Sequence, residues 1–189
     1  LEILPKMWWV IKQIIMYHNP VLLNESISGL NINPSGIYVD VTYGGGGHSQ
    51  EILKNLNSKG KLIAFDQDQD AIENKSNDRR LNLVKSNFKY LNNFLNYFKI
   101  NEIDGLLADF GISSHQIDNK DRGFSTRFNS ELDMRMNSTQ KIDAKAIVND
   151  YDKDQLEYIF KNLGELRNYK KVAEKIISER AKTPIETTR

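Results

Sequence analysis

The sequence predicts an α/β fold built on a parallel sheet, and three observations lead there. Strand-like and helix-like segments alternate from Ile37 to Asp109, a glycine run closes the first strand, and an acidic residue closes the second. Alternation at this spacing implies βαβ units, whose crossovers place the strands side by side and parallel.

The elements follow in order. Ile37-Tyr38-Val39-Asp40-Val41 is β-branched and aromatic, and it stops at Gly44-Gly45-Gly46-Gly47. From His48 to Leu56 the apolar residues Ile52, Leu53 and Leu56 fall at helical spacing. Lys61 to Phe65 is a second strand ended by Asp66, residues 67–80 suit a helix, and Leu81 to Val84 reads as a third strand. Helix-period aromatics run from Phe88 to Phe98, and Ile103 to Asp109 makes a fourth strand. Beyond Ser114 the rhythm breaks. Residues 115–141 are polar and without a period. Helices are expected over Asp154–Leu163 and Tyr169–Ala181, and Thr183 could cap another. A doubly wound sheet usually has more than four strands, so a truncated chain is expected.

Composition narrows the chemistry. Without cysteine, these residues hold no disulfide framework, thiolate zinc site or cysteine nucleophile. His18, His48 and His115 are scattered singly and form no metal-ligand pattern. A balance of 26 basic against 25 acidic side chains leaves bulk charge silent about nucleic acid, so any basic surface must be local. The apolar run Met7–Met16 is too short to span a bilayer, and no small-residue cleavage site follows it. Residues 1–15 read as upstream sequence, with Met16 as the natural start.

A glycine run after a strand lets the backbone turn sharply and a ligand approach its N–H groups. Asp66 lies 22 residues beyond Gly44, where a carboxylate accepts hydrogen bonds from a ribose diol. The G-x-G-x-x-G fingerprint fails, because its last position is Ser49 or Gln50, and no Gly-Lys-Ser/Thr follows the glycines. A loop without phosphate-specific features, paired with a ribose carboxylate, suits S-adenosylmethionine. A structural turn with a solvated Asp is the plainer alternative. Asp109, at the end of the fourth strand, could face the methionine end of that cofactor or a substrate amine; equally, an Asp there caps the next segment.

Six ordered segments carry a family resemblance. They are Tyr17 to Leu23, Asp40 to Ser49, Ala64 to Asp68, Asp109 to Asp118, Arg122 to Ser125 and Leu132 to Met136. Together they resemble the 16S ribosomal RNA cytosine-N4 methyltransferases, the MraW family, over residues 16–189. The resemblance implies a Rossmann-like class I methyltransferase sheet, of which the first half is present, in residues 16–114. An inserted, mostly helical substrate-binding domain, incomplete here, would occupy 115–189. It implies transfer of a methyl group from S-adenosylmethionine to the exocyclic N4 of a decoding-centre cytosine in 16S ribosomal RNA. The partner would be the small ribosomal subunit, in the cytoplasm, with no membrane involved. Carried over by motif, the cofactor contacts are Gly46, Gly47, His48, Asp66, Phe88, Asp109 and Gln116. Taken alone, Phe88 reads as core and Gln116 as a loop residue. Where many relatives have Tyr-Gly-Glu-Glu, this chain has Leu163-Gly164-Glu165-Leu166, which leaves the role of Glu165 open.

RNA contact is expected from the insert. Lys161 to Arg189 holds eight Lys/Arg against four Glu, which suits phosphates or a solvated helix face. Arg122, Phe124, Arg127 and Arg135 mix guanidinium and aromatic character, as base recognition does. Cytosine C5 methylation needs a cysteine nucleophile, whereas N4 methylation by direct displacement does not. No residue is assigned as catalytic, and nothing fixes an oligomeric state. Two rivals stand: a methyltransferase of another substrate, and a nucleotide-binding module without catalysis.

Overall fold

The computed structural model describes residues 20–189; the expected leader and start at Met16 lie outside the described residues. The chain divides into two compact units between His115 and Gln116.

The first unit is a four-stranded, all-parallel, Rossmann-like sheet. Its strands are β1 (Ile37–Asp40), β2 (Lys61–Asp66), β3 (Leu81–Lys85) and β4 (Gly105–Leu107), in the order β3-β2-β1-β4. The helices are α1 (Leu23–Leu30), α2 (Gly47–Asn55), α3 (Gln69–Glu73) and α4 (Leu91–Tyr97). From β1 to β3 the chain steps outward in one direction, then returns past β1 to lay down β4. Right-handed crossovers therefore put the intervening helices on opposite faces. Alternate strand residues supply the two cores. Tyr38, Leu62, Ala64 and Leu81 pack with Ile52, Leu53 and Leu56 from α2 and the residue after it. Val39, Ile63 and Phe65 face the other way, toward Leu91, Phe94 and Leu95 of α4.

Two elements are shorter than expected. The helix expected over 67–80 covers only Gln69–Glu73. The Tyr43 hydroxyl donates to the Asn74 carbonyl and accepts from Ser76 N–H, which draws the chain out of the helix. The fourth strand is three residues long rather than seven. On one side the Asp104 carboxylate accepts from Ile37 N–H, and on the other the Thr42 hydroxyl accepts from Asp109 N–H. A side chain thus takes the place of one backbone acceptor at each end.

The α5 helix (Ser114–Asp118) runs across the boundary. The second unit continues with a largely irregular stretch, then α6 (Ala144–Asp150), α7 (Lys153–Tyr158) and α8 (Tyr169–Arg180). Asp152 and Gln155 form a reciprocal capping box that starts α7. A π-helical turn over Ile159–Leu163 extends it, and Leu156 and Ala173 are fully buried. No helix forms from Thr183. Residues 185–188 instead run extended, with Leu132 N–H donating to Glu186 O, Thr188 N–H to Ser130 O and Ile185 N–H to the Asn149 amide. Among the described residues, no helix is long and apolar enough to cross a membrane.

Candidate functional site

Between β1 and β4 the crossovers change direction, and the loops leaving these two strands diverge. A crevice at the carboxyl ends of the strands results, which is where open α/β sheets take ligands. The loop Gly44–Gly47 leaves β1 and Asp109 follows β4, so both border that crevice.

Asp40 anchors the loop from beneath. It is fully buried, and its carboxylate accepts from Ser49 Oγ at 2.7 Å, from Thr42 N–H at 3.0 Å and from Thr42 Oγ1 at 3.4 Å. Burial pushes its pKa up, and the Ser49 and Thr42 hydrogen bonds oppose that shift. Thr42 passes the order on, because its hydroxyl also accepts from Asp109 N–H at 2.8 Å. Gly44 and Gly46 sit at φ +50° and +77°, in the left-handed region. A Cβ on Gly46 would stand 2.7 Å from the Tyr43 hydroxyl, and one on Gly47 2.3 Å from Pro20. The backbone therefore comes closer to its surroundings than any side chain would permit.

With Gly46 as N-cap, α2 begins with no side-chain cap and no acid in its first turn. Its positive end is available to a carboxylate. At the end of β2, Asp66 accepts from Gly44 N–H and from Asp68 N–H, at 2.8 and 2.9 Å through different oxygens. With a further backbone hydrogen bond from Gln67, the carboxylate still keeps a lone pair for another donor, such as a sugar hydroxyl. Burial raises the Asp66 pKa, against the pull of the Asp68 and Gly44 N–H groups.

His48 is buried, and Nε2 lies 3.2 Å from the Val21 carbonyl. A carbonyl can only accept, so Nε2 carries the hydrogen and Nδ1 is left toward Asp109 Oδ2 at 3.9 Å. The imidazole thus pins the Val21 segment, leaving the His48 backbone at the first turn of α2 for ligand contact. Asp109 is half exposed. Phe88 begins a 3₁₀ turn after β3 and is not core, since it remains 40% exposed. Its ring meets that of Phe110, centroid to centroid at 5.6 Å.

Gly46, Gly47, His48, Asp66, Phe88 and Asp109 therefore share the carboxyl edge of one sheet. Gln116 belongs to the second unit, where it is buried and its amide donates to Met136 Sδ. In that unit the arginines named for base recognition are held in structural contacts. Arg122 donates to the Arg135 carbonyl and lies over the Phe124 ring. Arg135 grips Asp133 through two nitrogens, and Arg127 pairs with Asp118. Among the described residues, no three His, Asp or Glu side chains gather as metal ligands.

Sequence reasoning missed Asp40, Thr42, Ser49 and Phe110. An acid closing an apolar strand was a usable signal for Asp40, as was an aromatic beside Asp109 for Phe110. Nothing in the sequence marks Ser49.

Comparison with known proteins identifies the family. The MraW methylase family matches residues 15–189. A protein of Christiangramia forsetii called ribosomal RNA small subunit methyltransferase H is 55% identical over 172 residues, 91% of this chain and 57% of its own length. Proteins of the same name from Flavobacterium johnsoniae and Bacteroides fragilis are 51% and 53% identical over 91% and 90% of the chain. The chain thus spans a little over half the length of these relatives. It is a member of the MraW methylase family.

Proposed function

We propose that this chain carries the cofactor site of an S-adenosylmethionine-dependent methyltransferase acting on the exocyclic N4 of a decoding-centre cytosine in 16S ribosomal RNA. The observation carrying this reading is the convergence of these groups at the carboxyl edge of the sheet. An uncapped helix start, a ribose-type carboxylate and a half-exposed Asp109 share one sheet edge, and no phosphate-specific loop is present. The relatives' name, ribosomal RNA small subunit methyltransferase H, supports the substrate class.

The cofactor, when bound, supplies an electrophilic methyl group on a sulfonium. Every other task falls to the chain. The first turn of α2, at Gly47 and His48, would receive the methionine carboxylate at the helix's positive end. Asp66 would accept from a ribose hydroxyl through its remaining lone pair. Cytosine N4 is a poor nucleophile because its lone pair is delocalised into the ring, so alignment matters most. Asp109 would accept a hydrogen bond from that amine and hold it in the reactive orientation, and the proton that the amine gives up when its bond to the methyl group replaces the methyl–sulfur bond would pass to solvent. Direct displacement needs no covalent enzyme adduct. The second unit would meet the RNA, and the enzyme would work in the cytoplasm. A methyltransferase of another substrate is the competing reading.

Tritiated methyl transfer to small ribosomal subunits, free 16S RNA and protein separates them, using this chain and a version extended to its relatives' length. Label recovered as N4-methylcytidine is expected; label in protein or in another nucleoside would refute the proposal.

A further inference from the structure

We propose that residues 109–115 strap down the bound cofactor and that His115 latches the strap to α3; this rests on reading the carboxyl edge as a cofactor site. The strap is fastened at both ends. At one end Asp109 N–H donates to Thr42 Oγ1, in the loop leaving β1, at 2.8 Å. At the other, His115 Nε2 lies 3.0 Å from Asp70 Oδ2, in the first turn of α3. A carboxylate offers only acceptors, so Nε2 carries the hydrogen. Both residues belong to the first unit. The chain leaves the sheet from β4, at its edge, and passes β1 to reach the head of the helix that follows β2.

Asp70 is not an isolated anchor. Its N–H donates to Asp68 Oδ1 at 3.1 Å, and Asp68 N–H donates to Asp66 Oδ1 at 2.9 Å. His115 is therefore joined to the ribose-type carboxylate through two successive side-chain-to-backbone bonds. Length leaves room beneath the strap. From β4 to β2 is two strand spacings, roughly 10 Å. The five steps from Asp109 to Ser114, where α5 begins, reach roughly 17 Å when extended. The strap can thus rise over a ligand while both ends stay fastened. Phe110 is 70% exposed and Ile112 46%, and neither belongs to either core of the sheet. Polar fastenings rather than burial therefore hold the strap.

Tritiated S-adenosylhomocysteine, chased from this chain by unlabelled ligand, gives the dissociation rate. His115→Ala should raise that rate about three- to fivefold, the range an exposed ion pair supports. His115→Gln, whose amide can still donate to Asp70, should restore most of the slow release. Asp70→Ala should add little in the His115→Ala background, and this cycle isolates the pair from whatever else Asp70 touches. Both side chains are more than a third exposed, so thermal unfolding without ligand should barely change. Hydrogen exchange at residues 110–114 should slow on saturation with ligand in the parent and much less in His115→Ala. Equal dissociation rates for the parent and His115→Ala, or additive effects of His115→Ala and Asp70→Ala, would overturn the latch while the cofactor site stands. So would ligand protection at residues 110–114 that His115→Ala leaves intact. If the parent binds no S-adenosylhomocysteine, the cofactor reading fails and the latch with it.

Discussion

Replacing Ser49 with alanine removes the one side chain that reaches Asp40 from α2. Both residues are fully buried, and the Ser49 hydroxyl donates to Asp40 Oδ2 at 2.7 Å. Thr42 serves the other oxygen, so Oδ2 loses the only donor found for it among the described residues. A hydrogen bond to a buried charged group contributes about 1.5–3 kcal/mol, and its loss leaves the acceptor desolvated. We expect a loss of about 2–3 kcal/mol for the first unit. With a urea dependence of roughly 1.5 kcal/mol per molar, the midpoint falls by about 1.5–2 M. The sign of the pH dependence follows from Asp40. Its pKa is raised in the fold, so the native state binds the proton more tightly than the unfolded chain. Stability contributed by the neutral form appears as pH falls through that raised pKa. The deficit of Ser49→Ala should therefore be full above that raised pKa and narrow as pH falls through it, where the carboxyl no longer needs a donor. Circular dichroism in urea at two pH values, with a double-mutant cycle against Asp40→Asn, checks this. A midpoint shift below about 0.3 M, or the same deficit in the Asp40→Asn background, would show that Asp40 is not held as described.

Four further outcomes are expected. Gly46→Ala should cost about 1–3 kcal/mol in urea unfolding, since its φ of +77° disfavours a side chain and its Cβ would press on the Tyr43 hydroxyl. Asp66→Asn should weaken S-adenosylhomocysteine about tenfold or more, as loss of charge-assisted acceptors does. In the parent, affinity should fall as pH drops through the raised Asp66 pKa, and in Asp66→Asn it should not. Asp109→Ala should slow methyl transfer by about a hundredfold while leaving S-adenosylhomocysteine affinity within a few fold; an equal loss of both would assign Asp109 to the cofactor. Asp133→Asn should destabilise the second unit by about 1 kcal/mol at neutral pH. Arg135 lowers the Asp133 pKa, so that contribution is complete above about 3.8 and disappears as pH falls through the lower folded value.

The sheet was legible because its strands are apolar on both faces and end at marked residues. Val39, Ile63 and Phe65 alternate with Tyr38, Leu62 and Ala64, and glycines follow β1 while Asp66 closes β2. Asp66 was legible for the same reason: its separation from the glycines is a βαβ span. What failed depended on contacts made only after folding. The helix after β2 stops early because Tyr43, thirty-one residues before Asn74, captures its end. The segment after Thr183 is extended because residues 130–132 and Asn149 offer it partners. Phe88 reads as core from its apolar character, yet it lies at the mouth of the crevice because the 3₁₀ turn after Asn87 carries it outward. Arg122 and Arg135 read as free for RNA, but each is engaged by its own loop.

In the proposed function, the strand ends gather residues 44–49, Asp66, Phe88 and Asp109 into one cofactor site. Backbone amide spectra of the labelled chain, recorded while S-adenosylhomocysteine is added, test that claim. We predict saturable shifts concentrated at residues 44–49, Asp66, Phe88 and Asp109–Phe110. Saturable shifts confined to the helices of residues 144–180, or none at all, would contradict it.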